Sequence, residues 1–183
     1  MDTEMTNFKK ILLVEDDLRD VELTLAALEE YRLANQVAVV GSGAEALEYL
    51  YCRGKFKTRT GGNPVVVLLD LKMPKVSGLE VLKTLKADEC LKIIPVVVLS
   101  SSRETPDLVE CYQHGVNAYV VKPVDFAEFM KAVKQLGIFW ATINEPPPYA
   151  ERAETSVQNG EVIFPGRKEV KNEISAPHPA FGG

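Results

Sequence analysis

Four runs of this chain are apolar at nearly every position, and each stops at a polar side chain. Ile11–Val14 leads into Glu15, Asp16 and Asp17, and Val65–Leu69 leads into Asp70. "IPVVVLS" ends at Ser100, ahead of Ser101 and Ser102, and "NAYVV" ends before Lys122 and Pro123. A strand with one wet face alternates apolar and polar residues. A strand that is apolar throughout needs cover on both faces, which is the condition of a parallel sheet between helical layers.

The intervening segments supply that cover. "LRDVELTLAALEEY" places Leu18, Val21, Leu25 and Leu28 at helical spacing, and "GAEALEYLYC" (43–52) has helical composition. "GLEVLKTLKAD" (78–88) puts Leu79, Leu82 and Leu85 on one face. "TPDLVECYQHG" predicts a helix with Thr105 as N-cap, Pro106 in the first turn and Gly115 as C-cap. In "DFAEFMKAVKQLGIFWATI", Asp125 and Glu128 have capping-box spacing, with Asp in the cap role. With the short β-rich run "QVAVV" (36–40), the order is β-α repeated about five times over Lys9–Ile143. Right-handed crossovers then give an open, doubly wound α/β sheet, in which ligands bind beyond the carboxyl ends of the strands.

The 183 residues accommodate one such domain and an appendage. Residues 1–8 read as an N-terminal tail, and 9–143 as the domain. Residues 144–183, rich in Pro, Gly and charge with the single apolar run "VIF", read as a mostly disordered tail too short to build an output domain. A net charge of −5 argues against a nucleic-acid partner. The polar, acid-bearing start and the lack of any stretch near about 20 apolar residues argue against a signal peptide and a membrane span. Three scattered cysteines, Cys52, Cys90 and Cys111, suit a reducing compartment, so a cytoplasmic location is expected.

In a parallel sheet the residues just past each strand share one edge. Taken singly, they have ordinary explanations. Asp70 could be a turn former, Glu15 and Asp16 acids that open a helix, Ser100 a turn residue and Lys122 a surface lysine. Taken together, they place several carboxylates, a hydroxyl and an ammonium on one rim. Carboxylates held close repel one another and call for a cation, and oxygen-only ligands suit Mg²⁺. A divalent ion beside a carboxylate, a hydroxyl and a lysine makes a site for a phosphoryl group.

The set "VEDD", "LLDLKMP…SG", "VLSSS" and "YVVKP" resembles the receiver domain of two-component response regulators, over roughly Lys9–Ile143. The resemblance implies a flavodoxin-like fold, with a five-stranded parallel sheet in the order 2-1-3-4-5 and five helices. It implies that Asp70 accepts a phosphoryl group from a sensor histidine kinase. Glu15, Asp16, Asp70 and the backbone carbonyl of Lys72 would hold Mg²⁺, with Asp17 an extra acid outside the pair. Lys122 would pair with the phosphoryl oxygens, Ser100 would be the switch hydroxyl and Tyr119 the switch aromatic. Pro123 would hold the lysine's loop, often through a cis Lys-Pro bond in this family. Lys72 and Ser102 would flank the phosphate. Such a protein signals to a downstream protein target and is not a metabolic enzyme, its only chemistry being its own phosphorylation and dephosphorylation. Glu in place of Asp at Glu15, and Ser in place of Thr at Ser100, keep the required oxygens. The long loop "YCRGKFKTRTGGNP" and the Phe139-Trp140 pair are similar to regulators paired with bacterial phytochrome kinases, where self-association through helix 4, strand 5 and helix 5 is expected.

Three other readings compete. "GSGAEA" (41–46) fits a dinucleotide-binding fingerprint, but it follows the second strand rather than the first and leaves Glu15, Asp16, Ser100 and Lys122 unused. A phosphatase of the haloacid dehalogenase type needs a second Asp two positions after the nucleophile, where this chain has Lys72. A receiver-like interaction module that no longer uses phosphate differs only in chemistry, so a phosphorylation assay separates it.

Overall fold

The computed structural model describes residues 10–60, 62–146, 156–158 and 161–163. Its main unit is a five-stranded sheet of β1 (Ile11–Val14), β2 (Val37–Val40), β3 (Val66–Leu69), β4 (Val96–Ser100) and β5 (Ala118–Val121). The strands lie in the order β2-β1-β3-β4-β5, all parallel, as the resemblance implied. Five helices alternate with them: α1 (Leu18–Glu29), α2 (Gly43–Tyr51), α3 (Gly78–Ala87), α4 (Thr105–Gln113) and α5 (Phe126–Ile138).

Alternate strand residues feed two cores. Leu12, Val14, Val67, Leu69, Val96 and Val98 pack with Leu50, Leu82, Leu85 and Cys111 beneath α2, α3 and α4. Ile11, Leu13, Val66, Leu68, Val97 and Leu99 pack with Leu28, Phe129 and Val133 beneath α1 and α5. The central strands β1, β3 and β4 are buried along their whole length, which is why their sequences do not alternate.

Several local expectations are corrected. Leu18 matches the helical phase of α1 but is 76% exposed, because it opens the helix at the rim of the sheet; the buried face is Thr24, Ala27 and Leu28. Thr105 is the first helical residue of α4 rather than its cap. The N-cap is Glu104, which makes no side-chain capping bond, and Pro106 at the second helical position has no N–H for a cap to receive. His114 caps the C-terminus of α4, and Gly115 follows it at φ +79°. At α5 only half of the expected box forms, with Asp125 accepting from the Glu128 amide; the reciprocal box lies at α3, between Ser77 and Glu80. The last helix also ends earlier than its composition suggested, giving way to a π-helical turn over Phe139–Ile143.

In the 144–183 segment, Ser156–Gln158 and Glu161–Ile163 form a separate antiparallel pair. The remainder of that segment beyond residue 146, and the 1–8 tail, lie outside the described residues. Among the described residues no helix is long and apolar enough to cross a membrane.

One glycine ties the fold to the edge where the polar residues collect. Gly78 opens α3, donates its amide to the Leu71 carbonyl at 3.1 Å, and faces the Asp70 carbonyl so closely that a Cβ would collide with it. The Gly78→Ala substitution forces the Asp70–Leu71 backbone to move. It is expected to cost about 1–3 kcal/mol of stability, the usual range for overpacking, measured by urea unfolding.

Candidate functional site

Backbone hydrogen bonds of the parallel ladder position the residues of this edge. The Asp70 amide donates to the Val14 carbonyl at 3.0 Å, and the Glu15 amide to the Val40 carbonyl at 3.1 Å. On the other side of β3, the Lys122 amide donates to the Ser100 carbonyl at 2.8 Å. Each side chain therefore leaves the sheet at a height set by register, at the carboxyl ends of β1, β3, β4 and β5.

Glu15, Asp16 and Asp70 converge, each offering a carboxylate oxygen within 4.8 Å of the others. Glu15 and Asp70 are buried, whereas Asp16 is exposed. The Lys122 ammonium reaches into the group, 2.6 Å from Glu15 Oε2, 2.6 Å from Asp20 Oδ2 and 3.8 Å from Asp70 Oδ2. Asp70 Oδ1 is buried and has no hydrogen-bond partner.

Burial dominates the electrostatics of both buried acids. It raises the Asp70 carboxyl above its ordinary value; Lys122 and the Lys72 and Leu71 amides pull it down, and Asp16 pushes it up. Glu15 is raised chiefly by burial too, against the pull of Lys122 and with a further push from Asp70. Burial alone would lower the Lys122 ammonium, but its hydrogen bonds to Asp20 and Glu15 outweigh that and raise it. All donors gathered here are oxygens, two acids are held against their preference for water, and one oxygen is unpartnered. This is a set that a hard divalent cation fits.

Ser100 is fully buried, and its Oγ accepts from the Ser102 amide at 3.2 Å. Tyr119 is half-buried and donates its hydroxyl to the Ser102 carbonyl at 3.1 Å. Lys72 is exposed, with its backbone amide toward Asp70. Ser102, expected beside the phosphate, is buried and donates to Asp107 at 2.6 Å in the first turn of α4. Asp17 serves α1 as its N-cap, accepting from the Arg19 amide at 2.8 Å. The Lys122–Pro123 bond is trans, since no cis peptide occurs among the described residues. Trans is the ordinary preference even before proline.

Sequence reasoning missed Asp20, which holds Lys122 as closely as Glu15 does. The signal was present, because Asp20 lies in the first turn of α1. Side chains there tilt back toward the helix N-terminus, and here that end sits at the sheet edge.

The raised carboxyls have a consequence for stability. A carboxyl raised in the fold favours its protonated form there. The stability contributed by Glu15 and Asp70 is therefore fully present below their ordinary values of 4.5 and 3.8, and is lost as pH rises through the raised folded values. In chelator at neutral pH, Asp70→Asn removes a buried charge while Lys122 keeps Glu15 and Asp20. It is expected to stabilise the protein by about 1–2 kcal/mol, with the gap closing toward acid pH. Thermal unfolding of both chains across a pH series measures it.

Comparisons with known proteins identify the family. The model of the response regulator receiver domain matches residues 11–134. The chain is 34% identical over 140 residues to the response regulator Rcp1 of Synechocystis sp., covering 76% of this chain and 94% of Rcp1. It is similar to the bacteriophytochrome response regulator RtBRR at 59% identity and a TM-score of 0.62, over 78% of this chain and 86% of that one. A structure of the phosphorylated cyanobacterial phytochrome response regulator RcpA superposes at a TM-score of 0.71, with 38% identity, over 76% of this chain and 98% of that chain. The chain belongs to the response regulator receiver domain family and is related to the response regulators of phytochromes.

Proposed function

We propose that this protein accepts a phosphoryl group from the phosphohistidine of a sensor histidine kinase, and that Asp70 is the acceptor. The single observation that carries the reading is Asp70 Oδ1, a buried and unpartnered carboxylate oxygen beside an ammonium and two further acids. Asp70 Oδ1 forms the bond to phosphorus as the bond from phosphorus to the histidine nitrogen breaks. Lys122 supplies positive charge to the phosphoryl oxygens. Glu15, Asp16, Asp70 and the Lys72 carbonyl would hold Mg²⁺. Bound there, the ion would neutralise charge between carboxylates and phosphoryl oxygens. A manganese-bound form of the related Rcp1 supports a divalent site.

The route outward follows the hydrogen bonds around Ser102. A Ser100 hydroxyl drawn toward the phosphoryl group gives up the Ser102 amide, and Ser102 also holds Tyr119 and Asp107 of α4. Tyr119 and α4 then shift between two arrangements. The readout is protein contact through α4, β5 and α5, where Leu108, Val109, Tyr112 and Phe126 are exposed. This face serves a downstream partner or a second copy of the chain. Kinship with phytochrome regulators points to a phytochrome kinase as the donor.

The test is incubation with a small phosphoryl donor with and without Mg²⁺, followed by intact mass. One added phosphoryl group that requires Mg²⁺ and is lost in Asp70→Asn is expected. No adduct, or one that persists in Asp70→Asn, overturns the assignment.

A further inference from the structure

The phosphoacceptor reading gives Lys122 a task at Asp70, yet the ammonium does not rest there. It makes two charged hydrogen bonds of 2.6 Å, to Glu15 and Asp20, and stands 3.8 Å from Asp70, beyond hydrogen-bond reach. The two partners differ. Glu15 is 4% exposed and its other oxygen accepts from the Asp17 amide at 3.2 Å, so it is fixed in the edge of the sheet. Asp20 is 32% exposed and anchored on a different element, α1.

We propose that Asp20 is a positioning residue that acts through Lys122, an exchangeable counter-ion that holds the ammonium off Asp70 until a phosphoryl group takes it. At rest, the Glu15–Lys122–Asp20 triad carries one net negative charge. Lys122 therefore presents no net attraction to an incoming phosphoryl anion. Giving up Asp20 leaves the Glu15–Lys122 pair neutral and frees one ammonium hydrogen-bond position for a phosphoryl oxygen, and the released carboxylate returns to water at small cost because it is already partly solvated. Giving up Glu15 with no cation beside it would strand a buried charge. Asp20 thus favours the unphosphorylated state by competing for the one ammonium that both states need.

The inference rests on the phosphoacceptor reading and is tested with beryllofluoride, an anion that mimics a phosphoryl group on a carboxylate. Affinity is measured by calorimetry in Mg²⁺ buffer for the full chain, Asp20→Asn, Asp20→Glu, Lys122→Gln and the Asp20→Asn/Lys122→Gln double variant. Asp20→Asn is expected to bind about three- to ten-fold more tightly than the wild type, the scale of a partly exposed charged pair. Asp20→Glu returns toward wild-type affinity. In the Lys122→Gln background the gain falls to less than half on a logarithmic scale, because the coupling passes through the ammonium.

Equal or weaker binding by Asp20→Asn overturns the inference. So does an equal gain in both lysine backgrounds, which marks general charge repulsion. Should the lysine variant not fold, Asp20→Glu decides, and a gain as large as that of Asp20→Asn overturns it. A wild type that binds no beryllofluoride overturns the phosphoacceptor reading and this inference with it. A wild type that binds, beside an unchanged Asp20→Asn, overturns this inference alone.

Discussion

The polar edge of this protein depends on one ammonium shared among carboxylates. A parallel sheet delivers the residues that follow β1 and β3 to the same place, so Glu15, Asp16 and Asp70 meet whether or not their charges suit one another. Lys122 arrives from β5 and bonds Glu15 and Asp20, 107 and 102 residues away in sequence. Its attraction is partial. Burial still leaves both Glu15 and Asp70 raised above their ordinary values, so the site keeps an unmet demand for positive charge. The chemistry of such an edge fits a hard divalent cation.

The same edge is connected mechanically to the flank of the domain. Ser100 and Lys122 are joined through the backbone where β4 meets β5, and Ser100 passes to Ser102 through a single amide. Ser102 reaches Asp107 on α4 and Tyr119 on β5. The core strands behind these bonds are fully buried and have little freedom to move. The hydrogen bonds that lead from this edge to α4 run through the loop after β4. Gly78 closes the opposite side, where the start of α3 lies against the Asp70 carbonyl.

Much of this was legible in the residues. Unbroken apolar runs required a two-sided sheet, and alternation with helical segments required parallel strands. The polar residues that end each run then had to share one edge. What was misread depended on depth or partner rather than on pattern. Leu18 has the right helical phase but lies past the end of the sheet, and phase carries no information about depth. Thr105 looked like a cap, although the helix starts one residue earlier and takes Glu104 as its N-cap. Asp20 resembled any acid in a first helical turn, because the lysine that singles it out follows β5, 102 residues further along the chain.

The alternation of strands and helices, the burial of the central strands and the identity of the side chains at their ends are written in the order of residues alone. These follow from local hydrophobic pattern and from the common direction of parallel strands. Which carboxylates Lys122 holds, that Asp70 keeps an unpartnered oxygen, and that Ser102 bonds α4 emerge once the chain is folded. Those outcomes turn on the difference between 2.6 and 3.8 Å among groups far apart in the chain. Several partners of like charge compete there for one donor, and packing rather than residue type settles the competition.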